Sequence, residues 1–161
     1  MDVLEYAMNM ERDGESYYRE QAGRVKNPGA ERFFTLLADE EHRHYELFSE
    51  IRAGKTPQLT PTFGAEARSL FETLKAEGGA FRKADAEILD VLSHGLEIEN
   101  RSIKFYVEEM QKAEDPGLKE LLFFIKREED KHYSFLSALI DYYMKPQIWL
   151  EQAEFSHWEE Y

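Results

Sequence analysis

Two copies of a Glu-x-x-His motif are the residues of this sequence best suited to chemistry. Glu41 and His44 form the first copy, and Glu129 and His132 form the second. On an α-helix, residues three apart lie within about 60° around the axis and about 4.5 Å along it, so both side chains of a pair reach one point. Carboxylate and imidazole ligands together suit iron or manganese. Each motif therefore predicts half of a metal site, if the two helices that carry them face each other.

The two motifs belong to an internal repeat, because a constant offset of 88 residues relates the first half of the chain to the second. The same offset takes Glu11 to Glu99 and aligns aromatic and apolar residues around them. One offset shared by separate helices indicates two related helical hairpins that face each other about a pseudo-two-fold axis. The predicted ligands are four glutamates and two histidines: Glu11, Glu41, His44, Glu99, Glu129 and His132. This composition is typical of helical bundles that bind two iron or two manganese ions.

The charge of the predicted site favours two divalent ions. A buried carboxylate without a counter-charge costs several kcal/mol, whereas four glutamates, two neutral histidines and two divalent cations carry no net charge. We expect two iron ions per chain, with manganese as an alternative and zinc as a metal that the isolated protein could carry. Glu15, one turn after Glu11, is a candidate for a seventh ligand.

Helical periodicity and Gly or Pro stop signals divide the chain into helices. Four long helices are predicted at residues 2–25, 29–53, 83–113 and 118–144, and a shorter one at residues 66–76. Short loops make the first and second long helices, and the third and fourth, antiparallel neighbours, while the long link between the pairs implies a crossover. The predicted fold is an all-α four-helix bundle of two helical hairpins. The acidic, aromatic tail at residues 145–161 is predicted to add a short C-terminal helix, and residues 1–161 are predicted to form a single domain.

The composition excludes several other classes of protein. A net charge of −13 repels nucleic-acid phosphates and anionic membranes, so we expect neither as a partner. The chain contains no cysteine, which excludes disulfides, iron–sulfur clusters and thiolate zinc sites. It has neither a stretch of about 20 apolar residues nor the basic start and apolar run of a secretion signal. We therefore expect a cytoplasmic protein without a membrane span.

Around the predicted ligands, the sequence resembles the rubrerythrin-like branch of the ferritin-like superfamily. The segments AMNMERDGESYYREQA and HGLEIENRSIKFYVEEM are similar to its glutamate-bearing helices, and ADEEHRHYELF and KREEDKHYSFL to its Glu-Glu-x-x-His helices. The likeness covers residues 1–144 and places the six predicted ligands at the ligand positions of the family. It implies a ferritin-like di-iron bundle with peroxidase or ferroxidase activity, commonly a homodimer. It also places Tyr18 and Tyr106 near the metals, where they would bond ligand carboxylates or relay electrons, unless they are simply core aromatics.

Two features of the sequence differ from rubrerythrins. Rubrerythrins proper carry a rubredoxin domain whose iron is bound by cysteine, so this chain would need an external electron donor, such as a rubredoxin-like protein. The family also has a second glutamate three residues after the first on the third long helix, and Ser102 stands at that position here. Glu97 points about 200° around the helix from Glu99 and is a poor substitute.

The expected function is that of a non-haem di-iron oxidoreductase that reduces hydrogen peroxide, or dioxygen, with electrons from Fe(II) or an external donor. Two alternatives stay open, namely an iron-handling ferroxidase and a metal-stabilised interaction module without catalysis. Glu40 and Glu128, four residues before the motif histidines, are interpreted as surface residues, with a hydrogen bond to the imidazole as the alternative. His42 and His94 are interpreted as surface residues.

Overall fold

The computed structural model describes residues 2–26, 28–76 and 86–144. These residues form five helices and no strand: α1 Val3–Arg24, α2 Pro28–Arg52, α3 Phe63–Ala76, α4 Ala86–Lys112 and α5 Pro116–Met144. α1 packs along α2, and α4 packs along α5, so each pair forms a hairpin. The predicted all-α, ferritin-like bundle is thereby confirmed.

The starts of two helices differ from the prediction for identifiable reasons. Asp115 accepts a 2.7 Å hydrogen bond from the Leu118 N–H and so caps the start of α5. Pro116 takes the first helical position, where its missing N–H is not needed. α5 therefore begins two residues earlier than predicted, because the turn at Asp115 and Pro116 not only ends α4 but also provides the first residues of α5. α3 begins at Phe63 rather than residue 66, since Phe63 is the first residue of its buried face.

Two apolar clusters fill the bundle, one towards each end. The larger cluster contains many aromatic side chains, among them Phe33, Phe63 and Phe135. The smaller cluster contains Phe48 and Leu122 at the opposite end. Full burial of one such side chain stabilises a fold by about 1.5–3 kcal/mol. The two clusters therefore hold the helices together and leave the middle of the bundle to polar residues.

α3, which belongs to the crossover, packs on α2 and α5 and closes one side of the bundle. Its Ala67 and Phe71 are fully buried. Phe63 places its ring edge-on against the ring of His132, with 4.5 Å between the ring centroids. The crossover is thus more than a connection, because it covers the side on which the Glu-x-x-His motifs lie.

Residues 77–85, which include the predicted start of the third long helix at residue 83, and the C-terminal tail at residues 145–161 lie outside the described residues. The predicted C-terminal helix and the single-domain organisation therefore stay predictions. Among the helices that the structure describes, none is both long and apolar enough to cross a lipid bilayer.

Candidate metal centre

The bundle brings all six predicted ligands together between the two apolar clusters. α1 contributes Glu11 and α4 contributes Glu99, while α2 and α5 each contribute one Glu-x-x-His pair. All six side chains are at most 1% exposed. Because glutamates are almost never fully buried without a partner, this arrangement requires a counter-charge.

Two overlapping groups of side chains could each hold one metal ion. Glu11, Glu41, His44 and Glu129 form the first group, and Glu41, Glu99, Glu129 and His132 form the second. Within each group, the ligand atoms lie within 4.8 Å of one another. Glu41 and Glu129 belong to both groups, so their carboxylates are placed to bridge two neighbouring ions.

The spacing of the ligand atoms fits a shared ion better than direct hydrogen bonds. His44 Nδ1 lies 2.8 Å from Glu129 Oε1 and 3.3 Å from Glu11 Oε2. Yet within the described part of the chain, neither ring nitrogen of His44 and neither carboxylate oxygen of Glu129 has a hydrogen-bond partner. Atoms held about 2.1 Å from one ion, as around zinc, lie about 3.0–3.4 Å apart. A metal centre would satisfy these buried polar atoms at close to their present spacing.

The two histidines reproduce the symmetry that the repeat predicts. Their rings are stacked, with 5.3 Å between centroids and 6° between ring planes. His44 Nδ1 lies beside Glu129 of the other hairpin, and His132 Nδ1 lies 3.2 Å from Glu41 Oε1, again of the other hairpin. Each histidine therefore reaches across the bundle to a glutamate that both groups share.

Crowding of buried carboxylates perturbs their protonation. Burial, reinforced by the charges of Glu11 and Glu99, raises the pKa of Glu41 well above its ordinary value. Burial and the charge of Glu41 likewise raise the pKa of Glu129. Burial lowers the pKa of His132, but the attraction of Glu99 and Glu41 outweighs this effect and raises it well above its ordinary value. The metal-free site therefore retains protons, which bound cations would displace.

Two buried tyrosines hold the glutamates of the opposite hairpin. Tyr18 on α1 donates a 2.5 Å hydrogen bond to Glu99 Oε1 on α4, and Tyr106 on α4 donates to Glu11 Oε1 on α1. Burial, together with the charge of the bonded glutamate, raises the pKa of each tyrosine well above its ordinary value, so the hydroxyls stay protonated. Each hydroxyl fixes one carboxylate oxygen and leaves the other oxygen, Oε2, for a metal.

One known protein family matches the chain over most of its length. The family model for rubrerythrin matches residues 2–140, which include all six buried side chains of the candidate centre. The chain belongs to the rubrerythrin family. The resemblance seen in the sequence is thereby confirmed, and members of the family typically bind two iron ions. No significant match was found among curated proteins or among solved structures.

In this member of the rubrerythrin family, Glu40 and Glu128 are buried, with 4% and 1% of their surface exposed. Their interpretation as surface residues was therefore wrong. Thr62 Oγ1 donates a 2.9 Å hydrogen bond to Glu40, and Lys131 Nζ lies 2.6 Å from a carboxylate oxygen of Glu128. A Glu40 oxygen also lies within 4.8 Å of a ring nitrogen of each stacked histidine. Carboxylates beside metal-binding imidazoles typically orient the ring, but Glu40 Oε2 has no hydrogen-bond partner within the described residues, so such a role for Glu40 stays a prediction.

Other acidic residues and histidines near the motifs lie outside the two ligand groups. Glu15, the candidate seventh ligand, accepts a 2.9 Å hydrogen bond from Arg19 Nε and lies 3.1 Å from His42 Nδ1. It would have to leave both partners to reach a metal, and its role as a ligand stays a prediction. Glu97 is exposed beside His94, in line with its exclusion as a ligand. The surface positions predicted for His42 and His94 are confirmed.

Gly14 is a residue of the centre that the sequence analysis missed. A Cβ added at this position would lie 2.6 Å from Glu41 Oε2 and 3.2 Å from the Glu41 carboxyl carbon. Any side chain at position 14 would therefore displace the carboxylate that both ligand groups share. The sequence could have indicated this role, because Gly14 lies three residues after Glu11 and therefore on the same helix face as that predicted ligand.

We expect Gly14→Ala to weaken metal binding by about 10- to 100-fold, the range typical of changes to groups that orient a ligand. The flexible Glu41 side chain can swing away from the new methyl group, so the fold survives while the ligand moves. Titration calorimetry with Zn²⁺ measures the loss of affinity. Gly23→Ala on the same helix, where an added Cβ meets nothing within 4 Å, is the matched control and should bind normally. Unchanged affinity in Gly14→Ala would show that this contact does not position Glu41.

Proposed function

We propose that this protein holds two iron ions between its hairpins and reduces hydrogen peroxide, or dioxygen, with electrons from Fe(II) or an external donor. The observation that carries this proposal is the overlap of two ligand groups at Glu41 and Glu129. A single structural ion would need one group and no shared carboxylates. A pair of iron ions, when bound, supplies the two electrons that cleavage of an O–O bond requires.

The proposed ligands divide evenly between the two hairpins. Glu11 and His44 of the first hairpin would hold one ion, Glu99 and His132 of the second would hold the other, and Glu41 and Glu129 would be shared by both. The short distances within each hairpin support this division, since the ligand atoms of Glu11 and His44 lie 3.3 Å apart and those of Glu99 and His132 lie 3.6 Å apart. Because both bridges join the hairpins, metal binding would also fasten the two halves of the bundle together.

The surrounding residues orient the ligands and cover the centre on the side of the crossover. Tyr18 and Tyr106 each hold one oxygen of a terminal glutamate and keep a proton beside it. Phe63 covers His132 on the side of the crossover. Electrostatic interactions among such buried side chains are much stronger than in water.

Anaerobic loading with Fe(II), followed by stopped-flow mixing with hydrogen peroxide or with dioxygen, tests the proposal. We expect two iron ions per chain and a rapid absorbance change on oxidation. Fewer than two ions per chain, or no absorbance change with either oxidant, would contradict it. Retention of zinc without any redox change would instead support a metal-stabilised interaction module. A particle-sized species on gel filtration after oxidation would support iron handling.

The chain has no cysteine for a rubredoxin-type iron centre. The proposal therefore includes a separate electron donor, for example a rubredoxin-like protein. The homodimer and the cytoplasmic location implied by the sequence stay predictions.

Tyr18→Phe and Tyr106→Phe should each retain two iron ions but slow their oxidation by about 10- to 100-fold. Each change removes the hydrogen bond that fixes one oxygen of a buried carboxylate. Elemental analysis measures the iron content and stopped-flow absorbance measures the rate. Tyr133→Phe, at an exposed position on α5, is the control and should react like the unaltered protein. Unchanged rates in both site variants would leave the tyrosines as core aromatics without a role in the reaction.

A further inference from the structure

A cavity of about 580 Å³ lies between α1 and α4 and ends beside the candidate metal centre. Its charged rim residues are exposed, its wall residues are half-buried, and Gly14 and Ser102 at its floor are buried. α1 and α4 contact each other far less than each contacts its own hairpin partner. The cavity is therefore a funnel between the hairpins, on the side of the bundle that α3 does not cover.

The floor of this funnel adjoins the proposed ligands. A Cβ added to Gly14 would lie 2.6 Å from Glu41 Oε2, so little more than the Gly14 backbone separates the cavity from a proposed bridging carboxylate. Ser102 is the repeat equivalent of Gly14, lies one turn after Glu99 and is 6% exposed. Two small residues at equivalent positions thus keep the floor open towards both ligand groups.

Apolar and aromatic side chains line the middle of the funnel, between a polar rim and the small residues of its floor. Met10 and Tyr17 line it from α1, and Ile98 and Phe105 line it from α4. The hydroxyl of Tyr17 already donates a 2.9 Å hydrogen bond to the Val91 carbonyl. Sites for small organic molecules typically have volumes of about 300–1,000 Å³ and combine apolar wall surface with a few polar groups. Hydrogen peroxide and dioxygen are too small to use either feature.

The rim and the net charge of the chain disfavour an anion. It carries two acidic residues, Asp13 and Glu108, and two basic residues, Arg101 and Lys104. Their formal charges cancel, while the chain as a whole carries −13. An anion would therefore meet repulsion on approach and find no excess of positive charge at the entrance. A neutral molecule with an apolar body meets neither difficulty.

We infer that this funnel binds a neutral organic hydroperoxide, with its apolar group against the walls and its O–O bond towards the floor. This inference rests on the proposed function, because the two electrons come from ferrous iron, which is oxidised to ferric iron. The O–O bond breaks, one proton is added to each oxygen, and the products are the alcohol and one water molecule. Ser102 and Gly14 are then the residues that set how closely a bulky peroxide approaches the metals.

Oxidation of the Fe(II)-loaded full chain by cumene hydroperoxide, with hydrogen peroxide in parallel, tests this inference. Ser102→Leu fills the floor and should slow the oxidation of iron by cumene hydroperoxide by at least about tenfold. Oxidation by hydrogen peroxide should slow by less than about threefold. A difference of this size is within the reach of steric discrimination in a binding pocket. Ser69→Leu, at an exposed position of α3, is the matched control and should alter neither rate. Equal slowing of both peroxides by Ser102→Leu would overturn the inference.

Binding gives a readout that does not depend on turnover. In the zinc-loaded protein, which is redox-inert and diamagnetic, the product alcohol 2-phenyl-2-propanol should shift the NMR signals of amides along α1 and α4. Phe105→Ala, which removes wall surface and leaves the floor intact, should weaken this binding by about threefold or more. This variant keeps the inference testable if Ser102→Leu does not fold. Shifts confined to other helices, or equal affinity in Phe105→Ala, would overturn it.

The two proposals fail in distinguishable ways. If neither hydrogen peroxide nor dioxygen oxidises the iron of the unaltered protein, the proposed function itself is wrong. If hydrogen peroxide oxidises it while cumene hydroperoxide does not, and the alcohol does not bind, the proposed function stands and the organic substrate is wrong.

Discussion

The Glu41→Ala/Glu129→Ala variant should bind no iron, although four of the six proposed ligands remain. Each ion would keep one glutamate and one histidine, because the two deleted carboxylates are the ones that both ligand groups share. Two protein ligands are fewer than even a catalytic zinc site retains. The stabilisation of the fold by metal, which grows with the ratio of free metal to the dissociation constant, should disappear with the binding.

Elemental analysis after anaerobic reconstitution, together with thermal melts with and without metal, measures this result. We expect two ions per chain and a metal-dependent rise in melting temperature for the unaltered protein, and neither for the variant. Glu15→Ala is the control, since Glu15 bonds to Arg19 and His42 in this structure. It should retain both ions, and loss of an ion would make Glu15 a seventh ligand. Two ions in the double variant would overturn the ligand assignment.

The six residues of the centre could be predicted because buried glutamate and histidine carry more information than apolar residues. An apolar residue that matches across the repeat shows only that its position is buried. Glu11 and Glu99 match at an offset that also aligns both Glu-x-x-His motifs, and this coincidence has a physical cause when the two hairpins share one centre. The structure brings these side chains together in the way that the offset indicates.

Burial of the neighbouring acidic residues could not be predicted in the same way. Glu40 has the charge expected of a solvated helix face, yet it is buried, and Thr62 of the crossover donates a hydrogen bond to it. Lys131 is 1% exposed and pairs with Glu128 on the same helix, a burial that depends on the packing of other helices. The Thr62–Glu40 separation gives no periodic signal, and the helical spacing of Glu128 and Lys131 predicts a pair but not its burial, which tertiary structure determines.

The metal-free protein should lose stability as the pH rises from about 5 to 8, and metal should reverse this trend. In the folded, metal-free protein the pKa of Glu41 and of Glu129 is raised, chiefly by burial. The pKa of His132 is also raised, by its glutamate neighbours. The folded state therefore binds more protons than the unfolded chain, and the stability that these groups contribute is lost as the pH rises through their folded pKa values. Each such proton gives a slope of at most about 1.4 kcal/mol per pH unit.

Glu99 does not change this sign within the same pH range. Burial alone would raise its pKa, but attraction to His132 and the hydrogen bonds that it accepts hold it below its ordinary value. Its contribution to stability is present above the pKa of an unfolded glutamate, about 4.3, and is lost only in more acidic solution. Between pH 5 and 8 the raised groups therefore determine the slope.

Urea unfolding of chelator-treated protein at constant ionic strength measures this dependence. Glu41→Gln/Glu129→Gln, which keeps the side-chain shape and removes both titrating carboxyls, should flatten the slope of the metal-free protein. The metal-loaded protein should instead gain stability with rising pH, because its ligands must be deprotonated and metal binding releases their protons. A flat profile for the unaltered metal-free protein would show that the buried carboxylates have found another counter-charge. Opposite slopes of stability against pH in the metal-free and metal-loaded protein would show that protons and metal ions compete for the same buried centre. Bound protons would then stabilise the centre in the absence of metal.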